Sequence, residues 1–247
     1  MSYFFYLREY LFPSGCGGCG KALLGKKDAF YGLCTGCREL LTAFLTGEKR
    51  CVICGKPLIT EKETCLSCRG EDSQAKEFYS GKLVKLYAAY PYTGKFKKVL
   101  GAYKFGKSLG VGNFLTLALQ RAAKSFGLPG DAAWVPVPPK PGKIKKSGWD
   151  QIEYLARRLD AAHRRAAAEN LPVCRCLKRL SSRNQKELNR EERGKNLKGR
   201  ILCVKKPPRT AIIFDDVITT GATLNACAAA LLENGAEKVY GVCLFYD

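Results

Sequence analysis

One run, Ala211 to Thr223 (AIIFDDVITTGAT), restricts the fold of this 247-residue chain more than any other part of it. Ala211, Ile212, Ile213 and Phe214 lead into two adjacent carboxylates, Asp215 and Asp216, and then into a small, hydroxyl-rich turn, Thr219-Thr220-Gly221-Ala222-Thr223. A continuous apolar run of this kind predicts a buried parallel strand. Leu224 to Glu233 is rich in Ala and Leu with no breaker, and Asn234-Gly235 supplies a C-terminal stop, so a helix is expected there. Val239 to Phe245 reads as a second apolar strand. In such a strand–loop–helix–strand unit the loop lies at the carboxyl end of a strand, where open α/β sheets bind ligands.

The residues of that loop point to a particular ligand chemistry. Free backbone N–H groups, a helix N-terminus and the hydroxyls of Thr219, Thr220 and Thr223 favour a phosphate dianion, and Gly221 lets the backbone come close to it. Asp215 and Asp216 beside an anion hole are repulsive unless the ligand also offers hydroxyl donors or a bridging cation. A ribose 5-phosphate has both parts, a phosphate for the loop and a diol for the acid pair. No Lys-Ser/Thr follows this loop and no G-x-G-x-x-G opens this helix, so the common nucleotide-binding signatures are absent at this position.

The N-terminal third carries a different chemistry. Cys16/Cys19, Cys34/Cys37, Cys51/Cys54 and Cys65/Cys68 are four C-x-x-C pairs, each able to aim two thiolates at one tetrahedral ion. Eight of the 13 cysteines sit in these pairs, which in a reducing compartment indicates metal rather than disulfides. Two structural zinc ions are expected. Spacers of 14, 13 and 10 residues permit either sequential or interleaved pairing of the knuckles. The apolar content of the segment is thin, so metal binding is expected to supply much of its folding free energy. Cys174, Cys176, Cys203, Cys227 and Cys243 read as small core residues.

Charge separates the two parts. Residues 1–75 hold 10 Lys+Arg against 8 Asp+Glu, whereas residues 76–247 hold 32 against 14, so nearly all of the +20 formal charge falls in the second part. The expected organisation is a cysteine-rich double zinc-ribbon module over 1–75 and an α/β ligand-binding domain over 76–247. Such an excess favours a polyanion, with nucleic acid as the obvious one, or is a solvated basic surface kept for solubility. The apolar start, Phe4 to Leu7, is short and followed by Arg8 and Glu9, which predicts neither a signal peptide nor a membrane span and suggests a cytoplasmic protein.

Between these features, Tyr3 to Phe12 reads as a short helix and Glu71 to Gly81 as a polar linker. Lys82 to Tyr92 reads as a strand. In Thr93 to Lys107, Phe96, Val99, Leu100 and Tyr103 fall at helical spacing among lysines, which fits a helix packed on the core or aromatics available for base stacking. Asn113 to Phe126 and Ile152 to Ala168 are further helices, and Trp134 to Val137 a strand. The Pro-bounded loop with Lys140, Lys143, Lys145 and Lys146 is a pyrophosphate cradle or an ordinary exposed turn. His163, the one histidine, reads as surface, which removes most histidine-based mechanisms.

DDVITTGAT after an apolar strand resembles the signature of the type I phosphoribosyltransferases, whose ligand is 5-phosphoribosyl 1-pyrophosphate (PRPP) with Mg²⁺. Together with the four knuckles, PVPPKPGKIKKSGWDQIEYLARRL and SSRNQKELNREERGKNLKGRI, it is similar in content and order to the competence protein F (ComF) family. The resemblance implies a type I phosphoribosyltransferase-like α/β fold, a parallel sheet flanked by helices, with an N-terminal zinc-ribbon module. Asp215 and Asp216 would hold the ribose diol and serve as the catalytic pair. Thr219, Thr220, Gly221, Ala222 and Thr223 would hold the 5′-phosphate, and Gln185 and Arg193 would lie in a loop closing over the site. It also implies DNA-uptake or recombination proteins as partners. Two departures stand out. Ser147-Gly148-Trp149-Asp150-Gln151 replaces the family's usual Arg-Gly-aromatic-Asn-Gln, and Thr219 replaces a carboxylate that purine-salvage relatives carry. Two activities follow: handling of single-stranded DNA during natural transformation with a PRPP-binding pocket, or Mg²⁺-PRPP-dependent phosphoribosyl transfer (a pentosyltransferase) to a nitrogen acceptor.

Overall fold

The computed structural model describes residues 14–46, 49–58, 60–69, 82–167, 169–180 and 201–247. The expectations for Tyr3–Phe12 and Glu71–Gly81 therefore fall outside the described residues. Two short helices, α1 (Lys26–Tyr31) and α2 (Thr35–Thr46), and a single turn, α3 (Leu66–Arg69), belong to the cysteine-rich part. The α/β part runs β1 (Lys85–Pro91), α4 (Gly94–Lys104), α5 (Leu109–Lys124), β2 (Ala132–Pro136), α6 (Lys143–Ser147), α7 (Gln151–Arg165), β3 (Leu177–Arg179), β4 (Ile201–Cys203), β5 (Thr210–Ile218), α8 (Ala222–Glu233) and β6 (Lys238–Tyr246). Among the described residues no helix is long and apolar enough to cross a membrane.

Four strands form a parallel sheet in the order β1-β6-β5-β2, and β3 and β4 pair as a separate antiparallel ribbon. Strand parity divides the interior in two. Ile212 and Phe214 of β5 face one core with α5 and α7; Ala211 and Ile213 face the other, with α8. That two-sided burial is why the run from Ala211 is apolar without alternation. β5 extends further than its apolar residues: Asp215 is still in register with Cys243 of β6, and Val217 with Phe245.

Helix starts follow local chemistry. The Ser108 hydroxyl accepts from Val111 N at 3.4 Å and opens α5, four residues before the sequence expectation. One Asp150 oxygen accepts from Ile152 N and Glu153 N at 3.0 and 2.9 Å and caps α7. Part of the basic loop expected at Lys140–Lys146 is helical, as α6. In α4 the alternatives resolve toward packing: Val99, Leu100 and Tyr103 are buried and Phe96 stacks on Tyr90, so these side chains belong to the core. His163 is half-buried, with its Nδ1 2.6 Å from the Asn170 carbonyl oxygen.

The cysteine-rich part contains a repeat. Cys16 N donates to Lys21 O and Leu23 N to Ser14 O, and 35 residues on Cys51 N donates to Lys56 O and Leu58 N to Lys49 O. The first copy is not a separate body. Its Leu23, Leu33, Cys37 and Leu41 lie in one continuous core with Val99, Val111 and Leu115 of the α/β part. The second copy has only a small core of its own, Cys51, Cys54 and Leu58. It docks through backbone: a Cβ on Gly55, whose φ is +68, would stand 2.3 Å from Leu86 O of β1. Only glycine fits that approach.

Candidate functional site

The Cys16, Cys19, Cys34 and Cys37 sulfurs lie within 4.8 Å of one another, as do those of Cys51, Cys54, Cys65 and Cys68. Pairing is therefore sequential. A tetrahedron with Zn–S bonds of about 2.3 Å has edges of roughly 3.8 Å, and Cys19–Cys34 and Cys54–Cys65 are each separated by 3.7 Å. Cys34 N donates to Cys16 Sγ at 3.3 Å and Cys65 N to Cys51 Sγ at 3.4 Å, bonds that favour thiolate. All-sulfur, four-donor sets whose sulfurs accept backbone N–H bonds fit structural zinc and leave no position for a substrate.

At the carboxyl ends of β5 and β2 lies a cavity of about 290 Å³, lined by Asp215, Asp216 and Thr223 on one side and by Lys104, Val137–Lys140, Lys143, Asp150, Gln151 and Arg179 on the others. A smaller hollow of about 40 Å³ adjoins it through Asp215 and is formed by the Thr219–Leu224 turn. Gly221, at φ +72, turns the chain into α8, and Ala222 N donates to Thr220 Oγ1 at 3.4 Å. The acid pair and Thr219, Thr220, Gly221, Ala222 and Thr223 thus line two adjoining hollows that meet at Asp215 and Thr223. Gln185 and Arg193 lie outside the described residues.

The two carboxylates differ in environment. Asp216 is buried; its Oδ2 accepts from Gln151 Nε2 at 2.7 Å and lies 3.1 Å from Lys104 Nζ, while its Oδ1 accepts from Val217 N at 2.9 Å. Among the described residues Asp215 has no ion-pair partner, and its Oδ1 accepts from Asp216 N at 2.8 Å. Burial first, and the adjoining Asp216 charge second, push the Asp215 carboxyl well above the ordinary carboxylate range.

The opposite wall is a second network. Lys143 Nζ donates to Asp150 Oδ2 at 2.7 Å and also to Gln151 Oε1, and Gln151 carries the link on to Asp216. Tyr103 OH donates to the Gln151 carbonyl, which fixes the start of α7 against the end of α4. Asp150 is occupied as helix cap and as the lysine's partner, so the departure at this position is absorbed locally. Sequence reasoning gave Lys104, Gln151 and Arg179 no role in the site. Lys104 is one of several lysines on α4 and nothing in its spacing distinguishes it; Asp150-Gln151 after a basic loop carried a usable signal, because an Asp before a helical run marks a cap.

Of the remaining cysteines, Cys176, Cys227 and Cys243 are core, as expected. Cys174 and Cys203 are half-buried and pack beside Cys176, where β3 meets β4. The three thiols form a cluster on the ribbon that carries Arg179 to the cavity.

Residues 7–69 match the family model of the double zinc ribbon domain. Over 214 residues the chain is 28% identical to competence protein F of Haemophilus influenzae, covering 84% of this chain and 87% of that protein. Over 226 residues it is 26% identical to the DNA utilization protein YhgH of Escherichia coli O6:H1, covering 86% and 96% respectively. A stretch of 35 residues is 51% identical to ribose-phosphate pyrophosphokinase of Oceanobacillus iheyensis, 14% of this chain and 11% of that enzyme.

Proposed function

This chain belongs to the competence protein F family, and from that premise we propose that it binds PRPP or a related ribose phosphate at the β5 cavity and acts on single-stranded DNA during DNA uptake. One observation carries the reading: the acid pair lines a cavity with Lys104, Lys140, Lys143 and Arg179, and the hydroxyl-lined turn forms a hollow that adjoins it at Asp215 and Thr223. Such a site suits a ligand with a phosphate at one end, hydroxyls in the middle and a further anionic group at the other. The Thr219–Thr223 turn takes the 5′-phosphate, Asp215 and Asp216 accept from the ribose hydroxyls, and the lysines and Arg179 face the pyrophosphate.

The donor set fits Mg²⁺ only in company with the ligand. Asp216 and Asp150 are already neutralised by Lys104 and Lys143, so bare Mg²⁺ meets little uncompensated charge, whereas a polyanion drawing the lysines away frees both carboxylates. Bound Mg²⁺ supplies charge neutralisation to the diphosphate. The chain's own contribution is positioning and electrostatic complementarity.

Phosphoribosyl transfer to a nitrogen acceptor is the second reading of the same cavity. What favours it is Asp215, which lines both hollows, has no ion-pair partner among the described residues, and so is placed to exchange a proton with an acceptor. Fluorescence anisotropy of a labelled single strand with the zinc-loaded protein, at two salt concentrations with and without Mg²⁺-PRPP, tests the first reading. Salt-sensitive binding that PRPP alters is the expected result. Absence of binding at low salt removes the DNA role, and pyrophosphate release that depends on an added nitrogenous acceptor and that Asp215→Asn abolishes establishes the transferase.

A further inference from the structure

The end of α4, next in sequence to the cavity residue Lys104, presents an aromatic ring to solvent. Phe105 directly follows Lys104, whose ammonium contacts Asp216, yet its own side chain is 76% exposed. Backbone bonds hold it there: Phe105 N and Gly106 N both donate to Gly101 O, at 2.9 and 3.2 Å, and Ser108 N donates to Ala102 O at 3.0 Å. A side chain on Gly106 would come within 2.7 Å of Ala102 O. Lys107 has a φ of +50, the one positive value outside glycine among the described residues, and its Nζ donates to Ser147 O at 3.0 Å. The turn is therefore preorganised by its backbone and pinned to α6, so the ring is displayed rather than loose.

Isolated exposed apolar side chains are ordinary. Here Phe105 has company, with Leu109 at 53% exposed four residues on and Ile144 at 45% on α6, the helix to which Lys107 is tied. The sequence on either side of Phe105 is strongly cationic. Between Phe78 and Trp149 the chain carries 13 Lys+Arg and one acidic residue, Asp131, which lies before the amino end of β2 and so away from the cavity. A second copy of this chain on the same face would bring like charge against like. A polyanion with flat apolar groups is complementary in both respects.

We propose that Phe105 is a base-stacking platform for single-stranded nucleic acid, placed at the rim of the ligand cavity so that a strand seated on it runs past Lys104, Lys107 and the α6 lysines, Lys145 and Lys146. This rests on the single-strand reading given above and adds the contact point. Stacking is sequence-tolerant and independent of phosphate neutralisation, so its loss differs from that of a lysine.

The test is anisotropy titration of a labelled pyrimidine homopolymer with the full zinc-loaded chain over a range of salt. Phe105→Ala weakens binding about 5- to 100-fold, the range for losing one stacked base, with the slope of log affinity against log salt unchanged. Phe105→Trp restores the affinity. If Phe105→Ala binds as tightly as the unaltered chain, the platform is wrong while strand binding stands. If the unaltered chain does not bind at low salt, the platform and the single-strand reading fall together. Concentration-dependent self-association abolished by Phe105→Ala, with strand affinity unaffected, would also overturn it, in favour of an interface between copies.

Discussion

The Arg50 guanidinium donates to the Ala88 carbonyl of β1 at 2.7 Å, across 38 residues of sequence. The same group donates to Gly55 O at 3.0 Å and to Phe44 O at 2.8 Å, and it lies over the Tyr87 ring, 4.1 Å from its centroid. One side chain thus joins the second cysteine repeat, the end of α2 and the sheet. Arg50→Met is expected to lower stability by roughly 2–4 kcal/mol, since partly buried carbonyls lose charge-assisted donors. Arg50→Lys should recover little, because an ammonium cannot span the three acceptors in one plane. Equilibrium denaturation of the zinc-loaded variants checks both.

The two zinc centres should differ in their effect on the rest of the chain. Cys37→Ser breaks a site whose residues are continuous with the main core, and Cys68→Ser one whose core is local. Each variant is expected to hold one zinc ion instead of two. Cys37→Ser should lower the melting temperature of the α/β part by more than Cys68→Ser does. Zinc stoichiometry by mass spectrometry beside the thermal transition separates the cases, and equal losses would refute the asymmetry.

Asp215 gives a pH signature. A carboxyl raised in the folded state favours folding most below its unfolded value, near pH 4, and that contribution is lost as pH rises through the folded value. Asp215→Asn should therefore be more stable than the unaltered chain at neutral pH and show no such gain at about pH 4. Within the window the difference grows by about 1.4 kcal/mol per pH unit. Urea unfolding at several pH values measures it, and the same variant should lose Mg²⁺-PRPP binding.

Lys104→Met should weaken PRPP binding by about 10- to 100-fold, the equivalent of one charge-assisted contact. It also leaves Asp216 buried with Gln151 as its side-chain partner, so stability should fall as well. Calorimetric titration with PRPP, against Lys140→Ala as a cation on the opposite wall, distinguishes loss of a specific contact from loss of general charge.

What could be read from the sequence was chemistry confined to short stretches. The apolar run into Asp215 and Asp216, the Gly221 turn and the Asn234-Gly235 stop each depend on neighbours a few residues away, and they reappear as β5, the start of α8 and its end. The knuckles were legible for the same reason, but their pairing was not, because both arrangements satisfy the spacers. Lys104 and Gln151 converge on Asp216 from 112 and 65 positions away, and Arg50 reaches Ala88 only once two packed bodies exist. No local pattern encodes such meetings. Phe105 was missed for a related reason: it follows a helical face whose other aromatics are buried.

Leu23, Leu33 and Leu41 sit in the same interior as Val99 and Val111. The ribosome delivers the first cysteine repeat before any of the sheet, yet that repeat supplies one wall of the sheet's core and is itself shaped by zinc. Metal supply is therefore expected to gate maturation of the ligand cavity: a chain starved of zinc should be lost to proteolysis as a whole, rather than accumulate with a finished pocket and an empty appendage.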